Sequence, residues 1–145
     1  MNTNTASLET FIRSMPKVEL HVHLEGSIRP ETLLELAERN GVELPARTVA
    51  ELREWYAFRN FDHFVEVYLA AAGCIQTPAD VERIASDFLD GQAAQNVLHS
   101  EVTYTASTQR MLSGIPLDDQ LEAINRARAA AERDHGVTMS LTIDY

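Results

Sequence analysis

Cysteine is nearly absent: Cys74 is the one thiol in 145 residues, so no internal disulfide can staple the chain. A lone thiol fits a reducing compartment, and a cytoplasmic protein is the expectation. Glycine and proline are sparse, at six and five, which excludes a collagenous repeat or a low-complexity linker. No apolar run approaches the roughly 18 residues that a membrane span needs. The opening stretch, MNTNTASLETFIRSMPK, has no basic segment followed by an apolar one, as a secretory leader would. Basic side chains are also scarce: 12 against 22 acidic ones leaves a net charge of −10. That balance argues against a nucleic-acid backbone or an anionic membrane surface as the main partner.

What remains is 45 % apolar and 23 % charged, the make-up of a globular domain with one sizeable core. A single domain over 1–145, without an internal boundary, is expected. Residues 7–15 read as a short helix stopped by Pro16. Residues 17–24 alternate strictly and contain valines, which indicates a strand. Pro30 starts a helix that Asn40-Gly41 closes. Thr48 and Glu51 have capping-box spacing. Asp62 is placed to cap a helix running to about Gly73, and Thr77-Pro78 opens another to about Gln95. Alternation returns over 97–105 and 137–144, on either side of a long helix over 116–135. Each pair of strands is thus joined through helix, which suits right-handed parallel crossovers. Three parallel strands make a thin sheet, so the chain reads as one portion of a larger one.

The chemistry concentrates on the first strand. Residues two apart share a face, so Glu19, His21 and His23 are expected on one side and Val18, Leu20, Val22 and Leu24 on the other. Two imidazoles at that spacing can serve one divalent metal. The same pair also suits a strand whose polar face merely meets solvent. Their place at the carboxyl end of the first parallel strand, where α/β folds bind ligands, strengthens the metal reading but leaves both open. On the later strands, Glu101, Thr103 and Thr105 share a face, as do Ser140, Thr142 and Asp144. With Glu19 they would make a polar barrel interior. His99 reads as a core or rim residue, and Gln109 falls in an expected loop.

The run PKVELHVHLEGSIRPETL over 16–33 closely resembles the opening of the adenosine deaminase family, within the metal-dependent amidohydrolases. Leu44-Pro45, the segments 48–55 and 58–68, and residues 96–102 extend the likeness over essentially the whole chain, as the N-terminal part of a longer template. The resemblance implies an α/β fold: about three βα units from the N-terminal portion of a TIM-type (β/α)8 barrel. It implies one divalent metal, usually zinc, at the mouth of the barrel, with His21 and His23 as two ligands. In this family the metal lowers the pKa of a bound water, and hydroxide attacks carbon 6 of an adenine ring. A Glu protonates the ring nitrogen and ammonia leaves.

The third His ligand, that Glu, an activating His and an Asp ligand belong to later strands, so no catalytic residue is expected within this chain. A barrel needs roughly 250 residues, and the 145-residue chain alone is expected neither to hold zinc tightly nor to turn over substrate. Glu25 and Gly26 stand where the family meets the purine or its sugar. Nucleoside-preferring members usually carry Asp at the first of these positions, while adenine and aminodeoxyfutalosine deaminases often carry Glu. Phe58 and Phe61, with Phe64, flank His63 on a segment that roofs the pocket in the family. The expected partner is therefore a small purine: adenosine, adenine or aminodeoxyfutalosine. Another amidohydrolase chemistry, or an inactive remnant serving as a binding module, are the rival readings.

Overall fold

The computed structural model describes residues 3–144. Helix α1 (Thr3–Ser14) leads into strand β1 (Lys17–His23), a 3-10 turn (Leu24–Ser27) and helix α2 (Pro30–Asn40). Helices α3 (Val49–Trp55), α4 (Phe61–Gly73) and α5 (Pro78–Ala94) precede strand β2 (Val97–Tyr104). Helices α6 (Ala106–Ser113) and α7 (Leu117–His135) then lead to strand β3 (Thr138–Ile143). The strands form one parallel sheet in the order β1-β2-β3.

Local chemistry explains most boundaries. Gly41 takes φ 65° and closes α2, its N–H reaching back to the last carbonyls. Thr48 with Glu51, and Thr77 with Asp80, form reciprocal capping boxes at the starts of α3 and α5. Helix α4 is capped by Asn60, whose side chain accepts from the His63 N–H at 2.9 Å. Asp62, the expected cap, lies two residues further on in the first turn, where its charge still suits the positive end of the helix. The segment holding Gln109 is helical rather than a loop. Gln109 is 1 % exposed and donates to the Ile75 carbonyl at 2.7 Å, which ties α6 beneath α4.

Helices cover one face of the sheet. Val81, Ile84, Ala85 and Leu89 of α5 and Ala123, Ile124 and Ala127 of α7 are buried together with Val102, Tyr104 and Met139 of the strands. The opposite face carries His99, Glu101 and Thr103 of β2 beside Thr138, Ser140 and Thr142 of β3 in direct register. His99 is held there by the Thr138 hydroxyl at 2.7 Å and the Ser140 hydroxyl at 3.2 Å. The expected polar face of these two strands is therefore present.

Strand β1 departs from strict alternation. Glu19 pairs with Ser100 and Val22 with Val102, so Leu20 and His21 together oppose a single residue of β2. This is a β-bulge, and His21, one of its two residues, takes a positive φ of 62°. Histidine is one of the few non-glycine residues that visits this region with any frequency. The extra residue reverses the facing of everything before it. Glu19 lies on the helix-covered side, where Gln92 of α5 donates to its carboxylate, and Val18 stands beside His99 on the other face. The expected grouping of Glu19 with the two histidines is thus corrected. Val18 and Leu20, expected on the face opposite the histidines, are 64 % and 61 % exposed among the described residues.

Candidate active site

The bulge serves the site. Bulges beside binding sites re-aim a side chain, and here both imidazoles meet the same cavity of about 530 Å³. Their ring centres are 5.6 Å apart and tilted by 40°. Val22, Gly26, Ser27, Phe64, Tyr68 and Thr105 complete the lining. All but Phe64 and Tyr68 belong to the carboxyl ends of β1 and β2 or the turns after them. The two aromatic rings reach in from α4, one helical turn apart on the same side.

The loop after β1 is locked to the end of β2 by Glu25. This side chain is 2 % exposed, and its Oε1 accepts from the Thr105 N–H at 2.7 Å. Its Oε2 is buried without a partner among the described residues. Burial pushes the Glu25 carboxyl up to about 6, against the lowering effect of the backbone N–H bonds. A raised carboxyl pKa means that the folded state holds its proton more tightly than the unfolded state does. The resulting stability is complete below the ordinary value of 4.5 and is lost as pH rises through about 6. In sodium buffers free of metal, Glu25→Gln should therefore lose less stability than the parent between pH 4.5 and 7. The difference should be on the order of 2 kcal/mol, measured by urea unfolding at several pH values.

Glu25 faces a second, smaller cavity of about 40 Å³, which it shares with Gly26, Tyr56, Phe58, Phe64 and Tyr68. Phe58 meets Phe64 edge-on at 5.1 Å, and Phe64 stacks along Tyr68 at 6.3 Å. The Tyr68 hydroxyl lies 3.5 Å from the Thr105 hydroxyl. Phe61 lines neither cavity; it is 74 % exposed with its ring 6.0 Å from Phe64. His63 is buried and accepts from the Arg59 N–H at 3.3 Å through Nδ1.

Of the residues expected from sequence, His21, His23 and Gly26 therefore come together at the larger cavity, and Glu25, Gly26 and Phe58 at the smaller. Ser27, Tyr68 and Thr105 were not singled out as lining residues. The i, i+4 spacing of Phe64 and Tyr68 was the available signal for the tyrosine, and the end of the second alternating run for Thr105.

Cys74 plays no part in either cavity. It is fully buried, its thiol donates to the Ala70 carbonyl at 3.3 Å, and burial pushes it up to about 11. A maleimide at pH 7 to 8 should leave it unmodified until denaturant is added, read by intact mass.

The donor set suits part of a metal site. Imidazole nitrogens at 2.0–2.1 Å from one zinc place the ring centres about 5 Å apart, close to the observed 5.6 Å. No group of three His, Cys, Asp or Glu donors occurs among the described residues. The pair can therefore supply two ligands and leaves the others to come from elsewhere. Among the described residues, no helix is long and apolar enough to cross a membrane.

A parallel sheet, covered by helices on one side and carrying a His-x-His pair at the carboxyl end of its first strand, agrees with the section of a (β/α)8 barrel that the family resemblance implies. Comparison with known proteins makes the assignment specific. Residues 16–143 match the adenosine deaminase family model, and the chain belongs to that family. It is 36 % identical over 135 residues to an adenine deaminase of Rhodospirillum rubrum, covering 93 % of this chain and 40 % of the relative. The crystal structure of an adenine deaminase from Arthrobacter aurescens superposes with a TM-score of 0.80 at 35 % identity, covering 88 % of this chain and 39 % of that one. An amidohydrolase from Burkholderia ambifaria, solved with bound zinc, gives 0.79 at 33 % identity over 95 % of this chain and 38 % of its own. The chain thus spans about 40 % of the length of the relatives it matches, and its three strands are part of such a barrel.

Proposed function

We propose that this segment contributes to an aminohydrolase that removes the 6-amino group of adenine, in a protein that also carries the strands found in its relatives. The observation that carries the reading is the pair His21 and His23, aimed by the β1 bulge into one cavity of a size suited to a small ligand. The two imidazoles would hold a divalent metal, zinc, through one nitrogen each. When bound, that metal supplies a water acidic enough to act as hydroxide near neutral pH. Phe64 and Tyr68 form an apolar wall against which a purine ring can stack and which keeps bulk water out. Gly26 lets a ligand approach the backbone closely. Glu25 and Phe58 support that wall from the inner cavity, and Phe61 covers its outer side through Phe64.

Adenine, rather than adenosine, is the favoured substrate because the relatives at 33–38 % identity are adenine deaminases. Glu25 in place of the shorter Asp agrees with that choice. The donors missing here belong to the remaining strands, so activity is assigned to the complete protein. Ammonia release from adenine, adenosine and aminodeoxyfutalosine tests the reading. Turnover of adenine well above the others is expected. Silence on all three would favour a different amidohydrolase chemistry.

A further inference from the structure

Two consecutive residues of α5 reach the segment that carries the histidines, one towards each end of it. Gln92 is 4 % exposed, and its Nε2 donates to Glu19 Oε2 at 2.5 Å. Glu19 is the last residue of β1 paired before the bulge, two positions ahead of His21. At the other end Arg29 immediately precedes α2, two positions after Ser27 of the cavity wall. Its Nη2 donates to the Asp87 carbonyl of α5 at 2.7 Å. The guanidinium lies against Gly91: the three atoms nearest a methyl added there all belong to Arg29, and Nη2 would collide with it. Glycine inside a helix is destabilising relative to alanine, and here it leaves room for that guanidinium.

Between these anchors His21 sits at φ 62°. A non-glycine residue keeps such a conformation only where its surroundings over-determine it. We infer that Gln92 and Gly91 are positioning residues for the imidazole pair. Gln92 fixes the strand before the bulge, and Gly91 admits Arg29, which fixes the turn after it. With either anchor lost, His21 can relax towards an ordinary strand φ, and its ring leaves the arrangement it shares with His23. The effect on a metal rests on the function proposed above; the anchoring rests on the contacts alone.

The test uses the complete protein, with its zinc dissociation constant read by chelator competition and its metal-free stability by urea unfolding. Gln92→Leu fills a similar space without a donor. It should weaken zinc binding roughly ten-fold, the low end of what losing a ligand's supporting partner costs. Glu19→Leu should do the same, and the double variant should lose no more than either. Glu19→Gln keeps an acceptor for Gln92 and should retain most of the affinity. Glu19 is exposed, so its variants serve if Gln92→Leu does not fold. Gly91→Ala should weaken zinc binding several-fold in the parent and add nothing in Arg29→Ala, where the methyl has room. An unchanged zinc constant in Glu19→Leu, losses that add in the double variant, or equal effects of Gly91→Ala in both backgrounds would each overturn the proposal. So would variants that lower the urea midpoint alone, as a merely structural contact would. A parent protein that binds no zinc would sink the function reading instead. The anchors would then stand only if the urea midpoints of each residue pair are non-additive.

Discussion

Replacing His23 by alanine in the complete protein is expected to lower adenine deamination by well over about 100-fold and to strip its metal. Removing a group that only orients a metal ligand already costs roughly 10–100-fold in affinity or activity, and His23 would be a ligand itself. The pair geometry makes the expectation specific. His21 and His23 face one cavity 5.6 Å apart, so His21→Ala should show the same double loss. His99, held by two hydroxyls at the far end of β2, should not: His99→Gln should keep its metal. Metal content by elemental analysis and turnover by ammonia release, measured on the same preparations, check all three. A His23→Ala protein with full metal and normal turnover would remove both imidazoles from the proposed chemistry.

The second large effect is on stability. Asp80 is fully buried and joins four partners. Its Oδ2 accepts from the Gln76 N–H, the Thr77 N–H and the Asn40 side chain, each at 2.9 Å, and its carboxylate pairs with Arg39. It thereby pins the start of α5 to the end of α2 beneath α4. Asp80→Ala leaves those donors without an acceptor, at about 1–3 kcal/mol for each one that stays dry. Arg39 is half exposed and can turn to water, which limits the loss. A cost of roughly 3 kcal/mol or more is expected, a large share of the 5–15 kcal/mol typical of a domain. Asp80→Asn keeps the shape and one acceptor and should cost clearly less. Urea unfolding of the complete protein separates them; equal, small shifts would show that the network stabilises little.

How much was legible in sequence follows from which interactions are local. Helix α5 is readable because Thr77, Pro78 and Asp80 satisfy its first N–H groups within four residues. The long α7 is readable from its length and from its stop at Gly136, which takes φ 69°. The bulge in β1 is not local: it exists only in the pairing of Glu19 and Val22 with Ser100 and Val102, some 80 positions away. Alternation therefore placed Glu19 beside the histidines, whereas pairing puts it under α5 with Gln92. Helix α6 was missed because its eight residues lack a side-chain cap and its start, Thr105, is held instead by Glu25 from the other end of the chain. The His-x-His pair was legible because the bulge leaves its own two-residue spacing untouched. The aromatic wall was legible in composition but not in aim, since only the docking of α4 decides that Phe64 and Tyr68 face the cavity while Phe61 faces away.

The most direct test of the central claim is an anomalous-difference map, collected at the zinc edge, from crystals of the complete, catalytically active protein. The account predicts a peak about 2.0–2.1 Å from one imidazole nitrogen of His21 and one of His23. Active protein whose metal lies away from both histidines, or that holds no metal at all, would contradict it.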